Sequence, residues 1–248
     1  MKIIPLSEGS FTIDQTKEFV PFNLDTDDLQ ARSRGSLLVE IQPFLVITKN
    51  DILLLDTGLG FRDETGVLQL HNNLSLHGIY PSDITKVLMS HLHKDHAGGM
   101  VMFDQLRNEY QPSFPNATYY IHKKEMDFAL KGQNPSYNIE KLGCLLNSEQ
   151  VVFLSEDQGI IDDYIYYELS SGHSPFHQVF TIKEENQVVF YGGDEAPQLQ
   201  QMKTKFIAKY DADGKRAMEL RQRWMEIGKE EGWLFLFYHD IKSPTMKF

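Results

Sequence analysis

The sequence reads as one α/β domain with more strand than helix, and three observations lead there. The chain has 248 residues, within the roughly 200–250 of a large single α/β domain. Hydrophobic residues make up 41% and aromatic residues 12%, which is enough for a packed core and argues against a disordered chain. Short β-branched and leucine-rich runs recur between clusters of Gly, Pro, Asn and Asp, and helical periodicity is confined to a few segments. No repeat, low-complexity tract or linker divides the chain, so one domain over 1–248 is expected.

In chain order, a β-rich run from Leu37 to Thr48 and a second at Ile52–Leu55 flank Lys49-Asn50-Asp51, a hairpin signal. The second run ends in Asp56-Thr57-Gly58-Leu59-Gly60, where glycine permits a sharp exit. Residues 61–80 lack a period and read as a loop or lid. Pro81-Ser82-Asp83 opens a helical turn, and Lys86–Ser90 is a buried strand. Gly98-Gly99 then turns the backbone into a helix expected from near Met100 toward Glu109.

Further along, a strand at Ala117–Ile121 precedes a helix over Lys123–Leu130. Loop residues Gly132-Gln133-Asn134-Pro135 lead into a helix through Leu146. Strands return at Val151–Leu154, Ile165–Leu169, Gln178–Ile182 and Val188–Tyr191, the last two joined by Glu184-Glu185-Asn186. After Asp213-Gly214, residues Ala217, Leu220, Trp224 and Ile227 form one apolar helical stripe, which is ordinary core packing. Gly232 ends that helix, and the strand Trp233–Tyr238 carries His239 and Asp240 at its far end.

A net charge of −11 repels polyanions at long range, so the expected partner is a small-molecule substrate and not nucleic acid. Cys144 is the only cysteine; it forbids an internal disulfide, fits a reducing, cytoplasmic setting, and sits in an apolar stretch that suggests packing. Pro5 and Glu8 interrupt the N-terminus before a secretion signal could form. No run approaches the roughly 18–20 apolar residues that span a bilayer, so no membrane association is expected. Phe19, Phe22 and Phe44 fit either core or a homodimer interface.

The segment His91-Leu92-His93-Lys94-Asp95-His96 places four potential metal ligands in six positions directly after a predicted strand. Imidazole and carboxylate suit zinc and neighbouring divalent metals, and a turn can aim His91 and His93 at one ion and Asp95 and His96 at another. Closing two sites needs more donors, and His173, Asp194 and His239 stand at the ends of predicted strands. His91, His93 and His173 would hold one metal and Asp95, His96 and His239 the other, with Asp194 bridging. Two divalent ions are therefore expected, zinc by default, with iron or manganese as alternatives. Asp56 either orients a ligand histidine or stabilises its turn. His71, His77, His122 and His177 receive no metal role, and His77 is singled out only because its loop leads into the ligand strand.

Asp56-Thr57-Gly58, the run from Ser90 to Gly99, Gly172-His173-Ser174-Pro175, Gly193-Asp194 and His239 appear in the order found in the metallo-β-lactamase-fold hydrolases. Over most of its length the chain resembles that superfamily, and its single-domain lactonase-like members in particular. The resemblance implies a four-layer αβ/βα sandwich with a dimetal site at one edge of the sheets, and it supplies the ligand role of His239. A metal-bridging hydroxide would be the nucleophile, with Asp95 orienting it and carrying its proton, so no protein nucleophile is needed. A lactone or carboxylic ester is the favoured substrate; a phosphotriester or thioester, or a metal-binding sensory role without turnover, is the alternative. In lactonases of the family a tyrosine shortly after the bridging aspartate can support the substrate carbonyl. Here Glu195-Ala196-Pro197 follows, leaving Tyr191, Tyr210 or Tyr238 to enter from elsewhere. Phe176 is a second departure, either narrowing the pocket or packing against a neighbouring strand.

Overall fold

A computed structural model describes residues 1–132 and 134–248 and contains two six-stranded sheets. Gln133, within the expected loop after Gly132, lies outside the described residues. The first sheet runs Lys2–Pro5, Phe44–Ile47, Ile52–Leu55, Lys86–Leu88, Thr118–His122, Val151–Leu154. Its last four strands are parallel, and a parallel strand covered on both faces reads as a continuous apolar run. Leu53, Leu54 and Leu55 are accordingly all fully buried. The second sheet runs Gln158–Ile161, Ile165–Leu169, Gln178–Glu184, Gln187–Tyr191, Leu234–Leu236, Thr245–Lys247. It is antiparallel except between Gln187–Tyr191 and Leu234–Leu236.

Three buried clusters define the layers. The central one joins Phe44, Val46, Leu53 and Leu55 of the first sheet to Phe180, Ile182, Val189 and Tyr191 of the second, so the sheets pack face to face. On the outer face of the first sheet, Leu54, Val87 and Ile121 meet Leu70 and Leu74 of the helix Gln69–Ser75 and Met126 and Ala129 of the helix Lys123–Ala129. On the outer face of the second, Phe190 and Phe235 meet Trp224 of the helix Gly214–Glu231. Helix, sheet, sheet, helix is the expected αβ/βα sandwich.

The C-terminal helix follows its sequence signals closely. The Asp213 side chain caps it by accepting from the Arg216 amide at 3.0 Å, and Gly232 ends it in the left-handed region at φ 69°. Ala217 and Trp224 are buried and Leu220 and Ile227 pack alongside, yet Arg221 is fully buried too. Past Ile139–Leu142 the expected helix tightens into a 3-10 turn over Gly143–Asn147. Cys144 is half-buried against the outer cluster, as its apolar setting suggested.

Other elements depart from the sequence reading. The run from Leu37 to Thr48 is two strands: Leu37–Ile41 pairs with Gly9–Ile13 in a separate three-stranded sheet completed by Phe19–Pro21, and Phe44–Ile47 joins the first main sheet. The break falls at Gln42-Pro43, where proline has no amide to donate to a ladder. Residues 61–80 are not all loop, since they hold the helix Gln69–Ser75, whose two buried leucines are too few to show a period. The helix expected after Gly99 is instead a hairpin, Val101–Asp104 with Glu109–Pro112. Phe103 and Tyr110 pair across it at 5.2 Å, and Asp104 accepts from the Leu106 and Arg107 amides to shape the turn, so aromatic pairing and turn chemistry win over helix formation. Phe44 is core, Phe19 packs against the central cluster, and Phe22 is half-buried. Among the described residues no helix is long and apolar enough to cross a membrane.

The loop leaving Ile52–Leu55 rests on a buried acid. Glu8 accepts from the Leu59 amide at 2.7 Å, and a Cβ on Gly58, whose φ is +71°, would fall 2.4 Å from the Glu8 carboxylate. Only glycine fits there. Burial outweighs the Leu59 amide and pushes the Glu8 carboxyl from 4.5 up to about 7. Between those values the folded chain keeps a proton that the unfolded chain has lost, so stability falls as pH rises through that window. Glu8→Gln keeps an acceptor for Leu59 and removes the ionisation. It is expected to stabilise the protein by up to roughly 3 kcal/mol at pH 8 and far less at pH 5, as read by urea unfolding at the two pH values.

Candidate metal centre

The candidate ligands stand at strand ends that open on one edge of the sandwich. His91 and His93 follow Lys86–Leu88, and His93 precedes the single helical turn Lys94–Ala97 that holds Asp95 and His96. The Thr57 amide and hydroxyl both donate to the His96 carbonyl, at 2.7 and 2.8 Å, tying this turn to the neighbouring strand end. His173 lies between Ile165–Leu169 and Gln178–Glu184, Asp194 in the 3-10 turn Gly193–Glu195, and His239 just beyond Leu234–Leu236. At Gly193, with φ +49°, a Cβ would sit 2.8 Å from both His177 Nε2 and the Ser90 side chain. The glycine lets Asp194 approach the histidines.

All seven predicted ligands come together in two groups. His91, His93, His173 and Asp194 each offer an atom within 4.8 Å of the others, and so do Asp95, His96 and His239. His93 Nδ1 lies 2.9 Å from His91 Nε2 and 3.2 Å from His173 Nε2. Asp194 connects the groups: Oδ2 is 3.2 Å from His173 Nε2, while Oδ1 is 3.0 Å from His96 Nε2 and 3.1 Å from His239 Nε2. Asp95 Oδ2 lies 3.6 Å from His96 Nε2 and 3.5 Å from His239 Nε2.

Hydrogen bonds on the outer ring nitrogens turn lone pairs inward. His96 Nδ1 pairs with Asp56 Oδ2 at 2.7 Å, His173 Nδ1 with Asp211 Oδ1 at 3.0 Å, His239 Nδ1 with the Glu40 carbonyl at 2.7 Å, and His91 Nδ1 with Ser90 Oγ at 3.0 Å. A histidine donating from Nδ1 presents Nε2 as an acceptor, the arrangement a metal ligand needs. His96 Nε2 and Asp194 Oδ1 are both buried and have no hydrogen-bond partner. Such a set of converging acceptors is stabilised by a cation, and the donor types fit zinc or a similar divalent ion.

The electrostatics agree. Burial, with His96 and His173 nearby, holds His91 and His93 well below the ordinary imidazole value, so both are neutral and able to coordinate. Burial alone would raise Asp194, but His239, His96 and His173 outweigh it and hold the carboxyl well below the usual range. Burial likewise disfavours charge on His96, yet Asp194, Asp95 and Asp56 raise it well above the ordinary value. These carboxylates demand positive charge between them, from a proton or from a metal.

Asp56 also lies close to His91 and His96, but its oxygens are already taken. It accepts from the Ser90 amide at 2.7 Å, Ser90 Oγ at 2.6 Å and Tyr191 Oη at 2.5 Å besides facing His96. Asp56 thus orients His96 and shapes its turn at φ +57°, so both roles considered from the sequence are present.

Several positioning residues escaped the sequence reading. His177, left without a role, is fully buried: its Nε2 accepts from the Asp194 amide at 3.1 Å, and its Nδ1 faces Ser170 Oγ at 2.9 Å. The Glu195 carboxylate accepts from the Gly172 and His173 amides and fixes the His173 loop. Arg221 donates to the Glu195 and Phe206 carbonyls, at 2.8 and 2.6 Å. Asp211 sat in a polar stretch with no motif, and only its neighbour Asp213 gave a capping signal. His77 is exposed, whereas His71 packs on Phe114 and His122 caps the helix Lys123–Ala129. Phe176 packs on Phe128 of that helix, with ring centroids 5.8 Å apart. The Tyr191 and Tyr238 hydroxyls donate to Asp56 and to the Asp95 carbonyl. Tyr210 alone of the three tyrosines packs on His173, at 6.0 Å.

Fold and site define an αβ/βα sandwich with a histidine- and aspartate-rich centre at its edge. A family model described as the metallo-beta-lactamase superfamily matches residues 41–239, and the chain belongs to that superfamily. N-acyl homoserine lactonase AttM of Azorhizobium caulinodans is 30% identical over 120 residues, covering 43% of this chain and 38% of the relative. N-acyl homoserine lactonase AiiA of Bacillus thuringiensis subsp. kurstaki is 25% identical over 172 residues, covering 69% and 62%. The chain therefore matches less than two thirds of the length of either relative. A solved structure described as a probable metal-dependent hydrolase from Staphylococcus aureus superposes with a TM-score of 0.78 at 23% identity, over 99% of this chain and 91% of that one. AidC, a dizinc quorum-quenching lactonase, superposes with a TM-score of 0.72 at 23% identity, over 98% and 88%. At these identities the structures establish the shared fold.

Asp56→Ala removes none of the candidate ligands but frees His96 Nδ1 and leaves Ser90 and Tyr191 without their acceptor. It is expected to weaken zinc binding by about 10–100-fold, measured by chelator competition, whereas His77→Ala should leave the affinity unchanged.

Proposed function

We propose that the protein is a dinuclear metal-dependent hydrolase of a small ester-type substrate, with a lactone or carboxylic ester favoured and zinc as the default metal. The observation that carries this reading is the division of Asp194, one oxygen facing His173 and the other facing His96 and His239. His91, His93 and His173 would hold one ion, Asp95, His96 and His239 the other, and Asp194 both. The lactonase names of the curated relatives favour a lactone.

Divalent ions bound there supply Lewis acidity toward a carbonyl oxygen and make water acidic enough to ionise near neutral pH. The chain's own groups do the rest. Asp95 is held by Tyr238, whose hydroxyl donates to the Asp95 carbonyl at 2.7 Å and whose ring stacks on His96 at 4.0 Å. This anchoring suits Asp95 to take a proton from the attacking water and return it to the leaving alkoxide. Tyr210, which packs on His173, would donate to a substrate carbonyl in place of a tyrosine directly after Asp194. Burial pushes the Tyr210 hydroxyl up to about 12, so it remains a donor at neutral pH.

Zinc-loaded protein should bind two ions per chain and hydrolyse members of a panel of lactones, aryl esters, thioesters and phosphotriesters. Lactones or carboxylic esters should be the best substrates. His93→Ala and Asp95→Ala should each lower turnover by about 10²–10⁴-fold. Fewer than one ion per chain at neutral pH, or two ions with no turnover of any panel member, would overturn the reading, the latter in favour of a metal-binding sensor.

A further inference from the structure

Beside the metal centre lies a cavity of about 260 Å³, just below the roughly 300 to 1,000 Å³ of most ligand pockets. None of the candidate ligands lines it, yet Leu92 and Lys94, which flank His93, form part of its wall. The rest of the lining divides in two. Phe19, Phe61 and Leu92 are apolar, and Lys17, Lys94 and Lys141 are basic.

The apolar wall is fixed. Phe11 packs on both aromatics, with ring centroids 6.3 Å from Phe19 and 5.7 Å from Phe61. None of the three lysines forms an ion pair among the described residues, though against the burial and the Arg62 charge that lower Lys141, Glu140 lies near enough to favour its charge. No aspartate or glutamate lines the cavity, and among the described residues no carboxylate oxygen lies within 4.0 Å of any of the three ammonium groups. Lys141 instead donates to the Gly98 carbonyl at 3.2 Å. Lys17 occupies the left-handed region at φ 60°, an uncommon conformation for a residue other than glycine, Asn or Asp. Acids outnumber bases across the chain by 35 to 24, so three unpaired lysines around one apolar recess run against its general balance. Partial burial strengthens their pull on an anion and favours an apolar stem beneath it.

We propose that this cavity is a subsite for a short apolar substituent ending in a single negative charge, so that the substrate is an ester or lactone carrying a carboxylate-type tail. The substrate assignment rests on the hydrolase reading, while the anion site does not. Because Leu92 and Lys94 flank His93, a tail seated there would lie against the segment that carries that ligand.

The test uses zinc-loaded, full-length protein with hexane-1-sulfonate, whose head group is a poor zinc ligand, and hexan-1-ol as the neutral control. Calorimetry should show the sulfonate binding about tenfold tighter than the alcohol or better, with that advantage lost in Lys17→Glu and Lys141→Glu proteins of unchanged zinc content. In parallel, the kcat/KM ratio of monomethyl adipate to methyl hexanoate should exceed one through KM and fall about tenfold in both variants. Equal affinity for sulfonate and alcohol, or sulfonate binding that survives in both variants, would overturn the subsite. Lysine-dependent sulfonate binding with no turnover of either ester or of any lactone, aryl ester, thioester or phosphotriester of the panel would support the anion site and overturn the hydrolase reading; turnover of the panel with no preference for the charged ester would overturn the substrate assignment.

Discussion

The carboxylate of Asp56 is the point on which the centre turns. It is fully buried and meets Ser90 twice, Tyr191 once and His96 once, so a charge that would be costly in the interior is fully engaged. Ser90 belongs to the exit of a first-sheet strand and Tyr191 to a strand of the second sheet. One side chain therefore joins the two sheets at the edge where the ligands gather. His91 is linked to the same hub through Ser90 Oγ.

The structure separates what the sequence made legible from what it did not. His91, His93, Asp95 and His96 were readable because one strand and one helical turn place them, so their spacing is itself their geometry. His173, Asp194 and His239 were readable as polar residues at the ends of apolar runs, and the family resemblance was needed for His239. The interactions that orient them run between distant segments. Asp211 reaches His173 from a loop with no motif, and His177 holds Asp194 from four residues beyond a ligand. Neither contact has a local signature.

Strand placement followed the same rule. Among the parallel strands of the first sheet, Ile52–Leu55 was visible as a solid apolar run because both of its faces are covered, whereas Val151–Leu154 leaves Val152 exposed. The N-terminal strands and Gln158–Ile161 were not read, since they are short and only partly buried. The segment after Gly99 misled because a glycine pair before an apolar run suits a helix start and a hairpin entry alike. The pairing of Phe103 with Tyr110 and the turn held by Asp104 decide between them.

The pairing of Gln187–Tyr191 with Leu234–Leu236 is parallel, so the chain must cross over the helix Gly214–Glu231 before it can deliver His239. The centre is consequently assembled from contacts remote in sequence, a topology that folds slowly because long loops close before any contact repays them. In the unfolded chain only the His91–His96 segment keeps donors close together. A divalent ion held by these residues would therefore prefer the finished fold and add stability by mass action. The sheets themselves are held by the central cluster, so the stability such an ion would add is an increment set by its free concentration.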